Sequence, residues 1–183
     1  MKAARAITLG VTGSIAAYKA PDIVSQLVKA GVDVHPVLTK AGARFVTALS
    51  LSIMAGRPAV TDLFDEKDFP GHIDLAAQTD LLLIAPATAN IIGKIAAGIA
   101  DDALSTVALA ARGKTVIAPA MNPVMYKYPA VARNVKTLEG WGMRFIPPEK
   151  GRLACGEWGE GKLAAVETIV TVVLEELARV RKK

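Results

Sequence analysis

The only cysteine of the chain, Cys155, sits in Gly151-Arg152-Leu153-Ala154-Cys155-Gly156-Glu157-Trp158-Gly159-Glu160-Gly161-Lys162, a segment with four glycines in twelve residues. A structural cysteine is most often a small buried hydrophobe in a strand or helix. A thiol in a glycine-rich loop is better placed for chemistry, since such a loop can fold over a ligand and carry the sulfur to it. The segment by itself reads equally well as a surface loop with an incidental cysteine, so its meaning depends on the other candidates. Of the two histidines, His72 opens a short helical pattern, whereas His35 falls inside a strand-like run where a structural role suffices. Asn122 lies in a proline-bounded loop, Pro119 to Pro123, and is readable as a loop cap or as a donor to an anion.

Apolar β-like runs alternate along the chain with helical patterns, which predicts a parallel sheet with crossover helices on both faces, a single-domain doubly wound (Rossmann-like) α/β fold over residues 1–183. Strands are expected at Ala6 to Val11, Val32 to Leu38, Leu81 to Ala85, Thr115 to Ala118 and Met143 to Ile146. Helices are expected from Ser14 to Gly31, Gly42 to Ser50, His72 to Ala77, Thr88 to Ala97, Asp101 to Ala110, Val124 to Leu138 and Leu163 to Arg179. Pro21 should kink or loosen the first of these helices, because it removes a backbone donor. Gly56 to Gly71 reads as irregular, and no linker or repeat marks a second domain.

In a doubly wound sheet, ligands bind outside the carboxyl ends of the strands. The small and hydroxyl residues fall just there: Gly13-Ser14 after the first strand, Thr39 after the second, Thr88-Ala89-Asn90 after the third and Ala120-Met121-Asn122 after the fourth. Free N–H groups at such helix starts suit a phosphate, so a phosphorylated cofactor is expected at this edge. The first turn, Gly10 to Ala17, lacks both the G-x-G-x-x-G fingerprint and the P-loop pattern, and the chain has no G-x-S-x-G elbow. Two histidines, one cysteine and no clustered carboxylates leave metal chemistry little to use. Asp101-Asp102 is most simply a helix cap.

Composition agrees: 52% hydrophobic and 21% charged residues over 183 positions suit a compact α/β domain or an oligomer with apolar interfaces. The formal charge of +5 is concentrated at Arg179, Arg181, Lys182 and Lys183, which leaves a nearly neutral body and gives no footprint for nucleic acid. Gly10, Thr12, Gly13 and Ser14 interrupt the N-terminal apolar run, so a strand explains it better than a leader, and no run is long enough to span a bilayer. A soluble, cytoplasmic protein is expected.

With these residues laid out, the chain resembles the homo-oligomeric flavin-containing cysteine decarboxylases, from Ile7 to about Val170. The resemblance rests on Gly13-Ser14-Ile15-Ala16-Ala17-Tyr18-Lys19, His72-Ile73-Asp74-Leu75-Ala76, Pro119-Ala120-Met121-Asn122-Pro123-Val124-Met125 and the segment around Cys155. It rests also on Pro86 to Asn90 followed by Gly98 to Thr106. The third motif often ends in Met-Trp in the family and reads Met125-Tyr126 here.

Within that family the similarity is greatest to the branch that acts on 4'-phosphopantothenoylcysteine in coenzyme A biosynthesis. It implies FMN held by Gly13, Ser14, Ile15, Thr39, Thr88, Ala89, Asn90 and Ala120, with Phe45, Ser105 and Thr106 near the flavin. It implies substrate binding by Asn122, Met121 and Ala154, acid–base work by His72, and protonation of an enethiolate by Cys155. Oxidation of the substrate's CH2–SH creates the electron sink for loss of CO2, and the electrons must return before the saturated thiol leaves. Residues 147–162 would form a flexible clamp over the substrate. The resemblance further implies trimers assembled into dodecamers with FMN between subunits, and a phosphopantothenoylcysteine synthetase as a fused or separate partner. Peptidyl-cysteine decarboxylases of the same family lack the cysteine that Cys155 matches. A flavin prenyltransferase of the same fold offers no role for Cys155 or Asn122, and regulatory FMN-binding relatives usually carry extra segments.

Overall fold

The computed structural model describes residues 5–63, 72–111, 113–152, 156 and 158–180; of 72–74 and 180 it describes the backbone alone. Five parallel strands form the main sheet: β1 (Arg5–Val11), β2 (Val32–Leu38), β3 (Leu81–Ala87), β4 (Lys114–Pro119) and β5 (Arg144–Phe145), in the order β2-β1-β3-β4-β5. β3 is buried at every position, as a central parallel strand covered on both faces must be. One apolar layer packs Leu9, Val11, Leu81 and Leu83 against helices α1 (Ala20–Lys29), α2 (Ala48–Ala55) and α8 (Val166–Val180). The other packs Leu82, Ile84 and Ile117 against α3 (His72–Gln78), α4 (Ala89–Ala97), α5 (Ala103–Ala110) and α7 (Pro129–Gly140). The strand order reverses between β1 and β3, so the switch point of the doubly wound sheet lies at their carboxyl ends.

Several local expectations are corrected. Ser14 caps a 3-10 turn, Ile15–Lys19, and α1 begins only at Ala20. Pro21 therefore occupies the first turn of α1, where the missing N–H costs nothing, and the expected interior kink is absent. The expected helix from Gly42 is a 3-10 turn, Gly42–Arg44, and α2 starts afresh at the Thr47 cap. The long helix from Val124 is two helices, α6 (Pro123–Lys127) and α7, broken before Pro129, where Tyr128 is extended. The glycine-rich segment contains an antiparallel hairpin, β6 (Glu149–Arg152) and β7 (Trp158–Lys162), that sequence reading left unassigned. Residues 64–71 of the stretch read as irregular lie outside the described residues. Among the described residues no helix is long and apolar enough to cross a membrane.

α8 is tied to the sheet edge by a charge network. The Glu176 carboxylate, 7% exposed, accepts from Arg144 and from Arg179, each at 2.6 Å. Burial alone would raise its pKa, but the Arg144 hydrogen bond and the two guanidinium charges outweigh that and hold it below the usual carboxylate range. Stability from this group is then complete above the ordinary glutamate pKa and is lost as pH falls through the depressed folded value. Glu176→Gln should lower stability by about 1–2 kcal/mol at neutral pH. It should also flatten the acid limb of a pH–stability curve from denaturant titration; an acid limb unchanged from wild type would exclude this role.

Candidate functional site

At the carboxyl end of the sheet a cavity of about 1040 Å³ opens, with its walls taken from the turns after β1, β2, β3 and β4. This is the volume of a large ligand pocket, and it lies where the topology predicts one. Of the residues expected from the sequence, Gly13, Ser14, Ile15, Thr39, Thr88, Ala89, Asn90, Ala120, Met121 and Asn122 all line it.

Each is placed by a local cause. β1 stays flush with β2 through Val11, and Gly13 then passes against Ala41: a Cβ there would lie 2.6 Å from the Ala41 Cβ, so only glycine fits this cradle. The Thr39 hydroxyl accepts from the Gly42 N–H at 3.1 Å and pins the turn after β2. At the start of α4, Thr88 is extended and its side chain does not cap the helix, which leaves the first-turn N–H groups for a ligand. These neutral donors converging at one end suit a phosphate, while Ile15, Ala41, Ala89, Ala120, Met121 and Leu163 give the rest of the cavity an apolar lining for a ring system. The donor set and the glycine cradle thus fit a phosphorylated, ring-bearing cofactor.

Asn122 is held in a way that decides its chemistry. Its Oδ1 accepts from the Val124 N–H at 2.8 Å as the cap of α6. That bond fixes the amide in place with one acceptor position engaged, and the residue, which lines the cavity, keeps its NH2 donors for a ligand. Nearby Tyr126 is raised above the ordinary tyrosine pKa, first by burial and then by Glu160 and Glu139.

Other expected residues stand elsewhere. Ser105 is fully buried and Thr106 half-buried, and neither lines the cavity. Ser105 completes a capping box with Asp102, and the Thr106 hydroxyl donates to the Asp102 carbonyl at 2.8 Å. Phe45 is 45% exposed and also lies off the cavity of the single chain. His72 begins α3, with only its backbone described, and Ala154 and Cys155 lie outside the described residues. His35 is largely buried beside Asp33, and its pKa is lowered chiefly by that burial, as suits a structural histidine.

Sequence reasoning missed Thr12, Tyr18, Lys19, Lys40, Lys94 and Met125 as lining residues. The buried Thr12 hydroxyl donates to the Pro86 carbonyl at 2.7 Å and accepts from the Thr88 N–H at 3.1 Å, joining the turns after β1 and β3. Lys94, on α4, is clasped by Asp101 at 2.5 Å and Asp102 at 2.7 Å. Burial would lower its pKa, but the two carboxylates outweigh it and raise it. The aspartate pair had been legible as a cap, but its lysine partner seven and eight residues earlier carries no motif.

The family model described as Flavoprotein matches residues 1–178. The chain is 46% identical over 176 residues to the coenzyme A biosynthesis bifunctional protein CoaBC of Bacillus subtilis, covering 95% of this chain and 43% of that protein. It therefore spans less than half the length of that relative. It is 41% identical over 175 residues to the probable phosphopantothenoylcysteine decarboxylase of Streptococcus mutans, covering 93% of this chain and 98% of that one. Among solved structures, the FMN-dependent cysteine decarboxylase SpaF superposes with a TM-score of 0.83 at 34% identity, covering 98% of both chains. A cysteine-to-serine variant of PPC decarboxylase complexed with pantothenoylaminoethenethiol gives 0.83 at 31% identity, covering 94% of this chain and 97% of that one. A matched model over nearly the whole chain, on the fold and cavity just described, makes this protein a member of the Flavoprotein family.

Proposed function

We propose that the chain is an FMN-dependent decarboxylase that converts 4'-phosphopantothenoylcysteine to 4'-phosphopantetheine and CO2 in coenzyme A biosynthesis. The observation that carries this reading is Asn122: its amide oxygen caps α6 and the residue lines a cofactor-sized cavity, where its NH2 group can donate to a carboxylate. The likeness to the probable phosphopantothenoylcysteine decarboxylase of Streptococcus mutans, along 98% of that protein, supports the same substrate.

In this reading FMN is held by Gly13, Ser14, Ile15, Thr39, Thr88, Ala89, Asn90 and Ala120, with its phosphate at the start of α4. When bound, FMN would supply the two-electron oxidation of the substrate CH2–SH to a thiocarbonyl, the electron sink that takes up the pair left on the neighbouring carbon as CO2 departs, and the electrons afterwards return. Asn122, with Met121 beside it, orients the carboxylate. His72 serves the acid–base steps, and Cys155, with Ala154 beside it, gives its proton to the enethiolate carbon left after CO2 departs. Residues 147–162 form the clamp over the substrate. Ser105 and Thr106 act at one remove, by holding Asp102.

Exposed Ile15, Tyr18 and Met125 rim the cavity, and Phe45, Leu49 and Ile53 are also exposed. Apolar side chains in these positions favour a homo-oligomer, trimers assembled into a dodecamer, in which a neighbour completes each cofactor site and Phe45 reaches it. A phosphopantothenoylcysteine synthetase is the proposed partner, fused or separate, and the cytoplasm the proposed compartment. Neither nucleic acid nor a membrane enters the reading.

The test is an anaerobic assay of the purified, FMN-loaded protein with 4'-phosphopantothenoylcysteine, reading the visible spectrum and product masses. A yellow protein releasing CO2 and saturated 4'-phosphopantetheine is expected. Cys155→Ser should instead release a product two mass units lighter, the enethiol, at a saturated-product yield reduced at least about 100-fold. Native mass spectrometry of the same sample should give multiples of three chains. A protein that cannot be loaded with FMN, or that leaves the substrate untouched, would overturn the reading.

A further inference from the structure

The cavity wall is lopsided in charge. Five cations line it, Lys19, Lys40, Lys94, Arg152 and Lys162, against one carboxylate, Asp102. Lys94 is taken up by Asp101 and Asp102. Among the described residues the other four have no acidic partner. The cofactor end of the cavity is served by neutral N–H donors, so these charges are available to another anion.

If the chain acts on 4'-phosphopantothenoylcysteine, as proposed above, its substrate carries two anionic ends and Asn122 accounts for one. The hairpin of β6 and β7 measures the distance to the other. The Met121 N–H donates to the Gly161 carbonyl at 3.0 Å, which fastens β7 to the wall one residue before Asn122. From Gly161 to Trp158 is three residues of strand, about 10 Å. Trp158 pairs directly with Arg152 on β6, and Arg152 lines the cavity again at that point. In the substrate, twelve bonds separate the carboxyl carbon from phosphorus. That is the backbone length of four residues, about 14 Å when extended. A carboxylate on Asn122 thus leaves the phosphate within reach of the Arg152 side chain.

Trp158, 79% exposed, pairs with Arg152 across the hairpin. Trp158 does not itself line the cavity of the single chain. Lys162, by contrast, adjoins Gly161 and belongs to the carboxylate end.

We propose that Arg152 is the anchor for the substrate's terminal phosphate and that it selects phosphorylated over unphosphorylated acyl-cysteine substrates. A guanidinium meets a phosphate with two parallel N–H donors, a stronger and more directional contact than an ammonium provides. The anchor acts through charge at the far end of the substrate, so it sets which molecule is held rather than how fast the held one reacts.

The experiment compares kcat/KM for 4'-phosphopantothenoylcysteine and for pantothenoylcysteine in the FMN-loaded wild type, Arg152→Gln, Arg152→Lys and Lys162→Gln. Arg152→Gln should lose about 10- to 100-fold on the phosphorylated substrate and less than about 2-fold on the other. Arg152→Lys should recover part of the loss, and Lys162→Gln should keep the preference for phosphate. Inorganic phosphate should compete with the phosphorylated substrate in the wild type and not in Arg152→Gln. An equal loss on both substrates, a preference that survives Arg152→Gln, or a weakened FMN dissociation constant in that variant would each overturn the anchor while leaving the decarboxylase intact. A wild type that turns over neither substrate would overturn the decarboxylase reading and the anchor with it.

Discussion

Gly161→Ala should lower kcat/KM for decarboxylation by about 100-fold while the protein stays folded and keeps its FMN. A Cβ at Gly161 would fall far inside 3.0 Å of the Met121 carbonyl oxygen, and its next neighbours are backbone atoms of Met121 and Pro123 that have no side-chain freedom to yield. A carbon normally approaches a carbonyl oxygen no closer than about 3.3 Å, so the loop bearing Asn122 must move by about 1 Å or the hairpin must lift away. Either movement breaks the Met121-to-Gly161 hydrogen bond and separates the carboxylate donor from the hairpin. Overpacking of this kind costs about 1–3 kcal/mol, which a domain of this size survives. The proposed donors to the cofactor phosphate are on α4 and the turn after β1, whereas a Gly161 Cβ meets Met121 and Pro123, so the flavin spectrum should be retained. Full activity in Gly161→Ala, measured beside its FMN content, would show that the hairpin does not position Asn122.

Most of the sheet and most of the cavity lining could be read from the sequence, for one physical reason. Central parallel strands are continuous apolar runs such as Leu81 to Ala85, and the doubly wound topology puts whatever follows them at one edge. The positions of Gly13, Thr39, Thr88 and Asn122 at that edge are therefore legible in the sequence. The β6 and β7 hairpin was not legible, because its stability comes from pairing and from docking on residues 121–123 rather than from an apolar alternation of its own. Gly151, Gly159 and Gly161 read as a flexible loop, whereas Gly159 and Gly161 are the places where the strand presses on Pro123 and Met121. Pro21 misled for a different reason: a 3-10 turn shifted the start of α1 and brought the proline to a permitted position. Ser105 lies three residues after Asp102, which lines the cavity, but its hydroxyl is used within a capping box, and nearness along the chain does not reveal which way a helix turns a side chain. The chemistry at His72 and Cys155 rests on the family resemblance and on the assay that tests it.

Thr12 carried no signal at all, since a threonine in a turn needs no further explanation, yet its hydroxyl is where the two halves of the switch point meet. It donates to the Pro86 carbonyl and accepts from the Thr88 N–H, and both bonds run between the turns after β1 and β3. Thr12→Val keeps the shape and removes both bonds, leaving a buried carbonyl and an N–H without their partner. The expected loss is about 2–4 kcal/mol in denaturant unfolding, near the upper end for a single hydroxyl because two backbone groups are orphaned together. The freed N–H belongs to the residue that opens α4, so the N-terminal donors would no longer be held against the Gly13 turn. FMN affinity should then fall at least about tenfold, measured by quenching of flavin fluorescence on binding. Thr12→Ser restores the hydroxyl and should recover most of both losses. If Thr12→Val loses stability and keeps full FMN affinity, the bridge is a fold element alone and the donors of α4 are set by the helix itself.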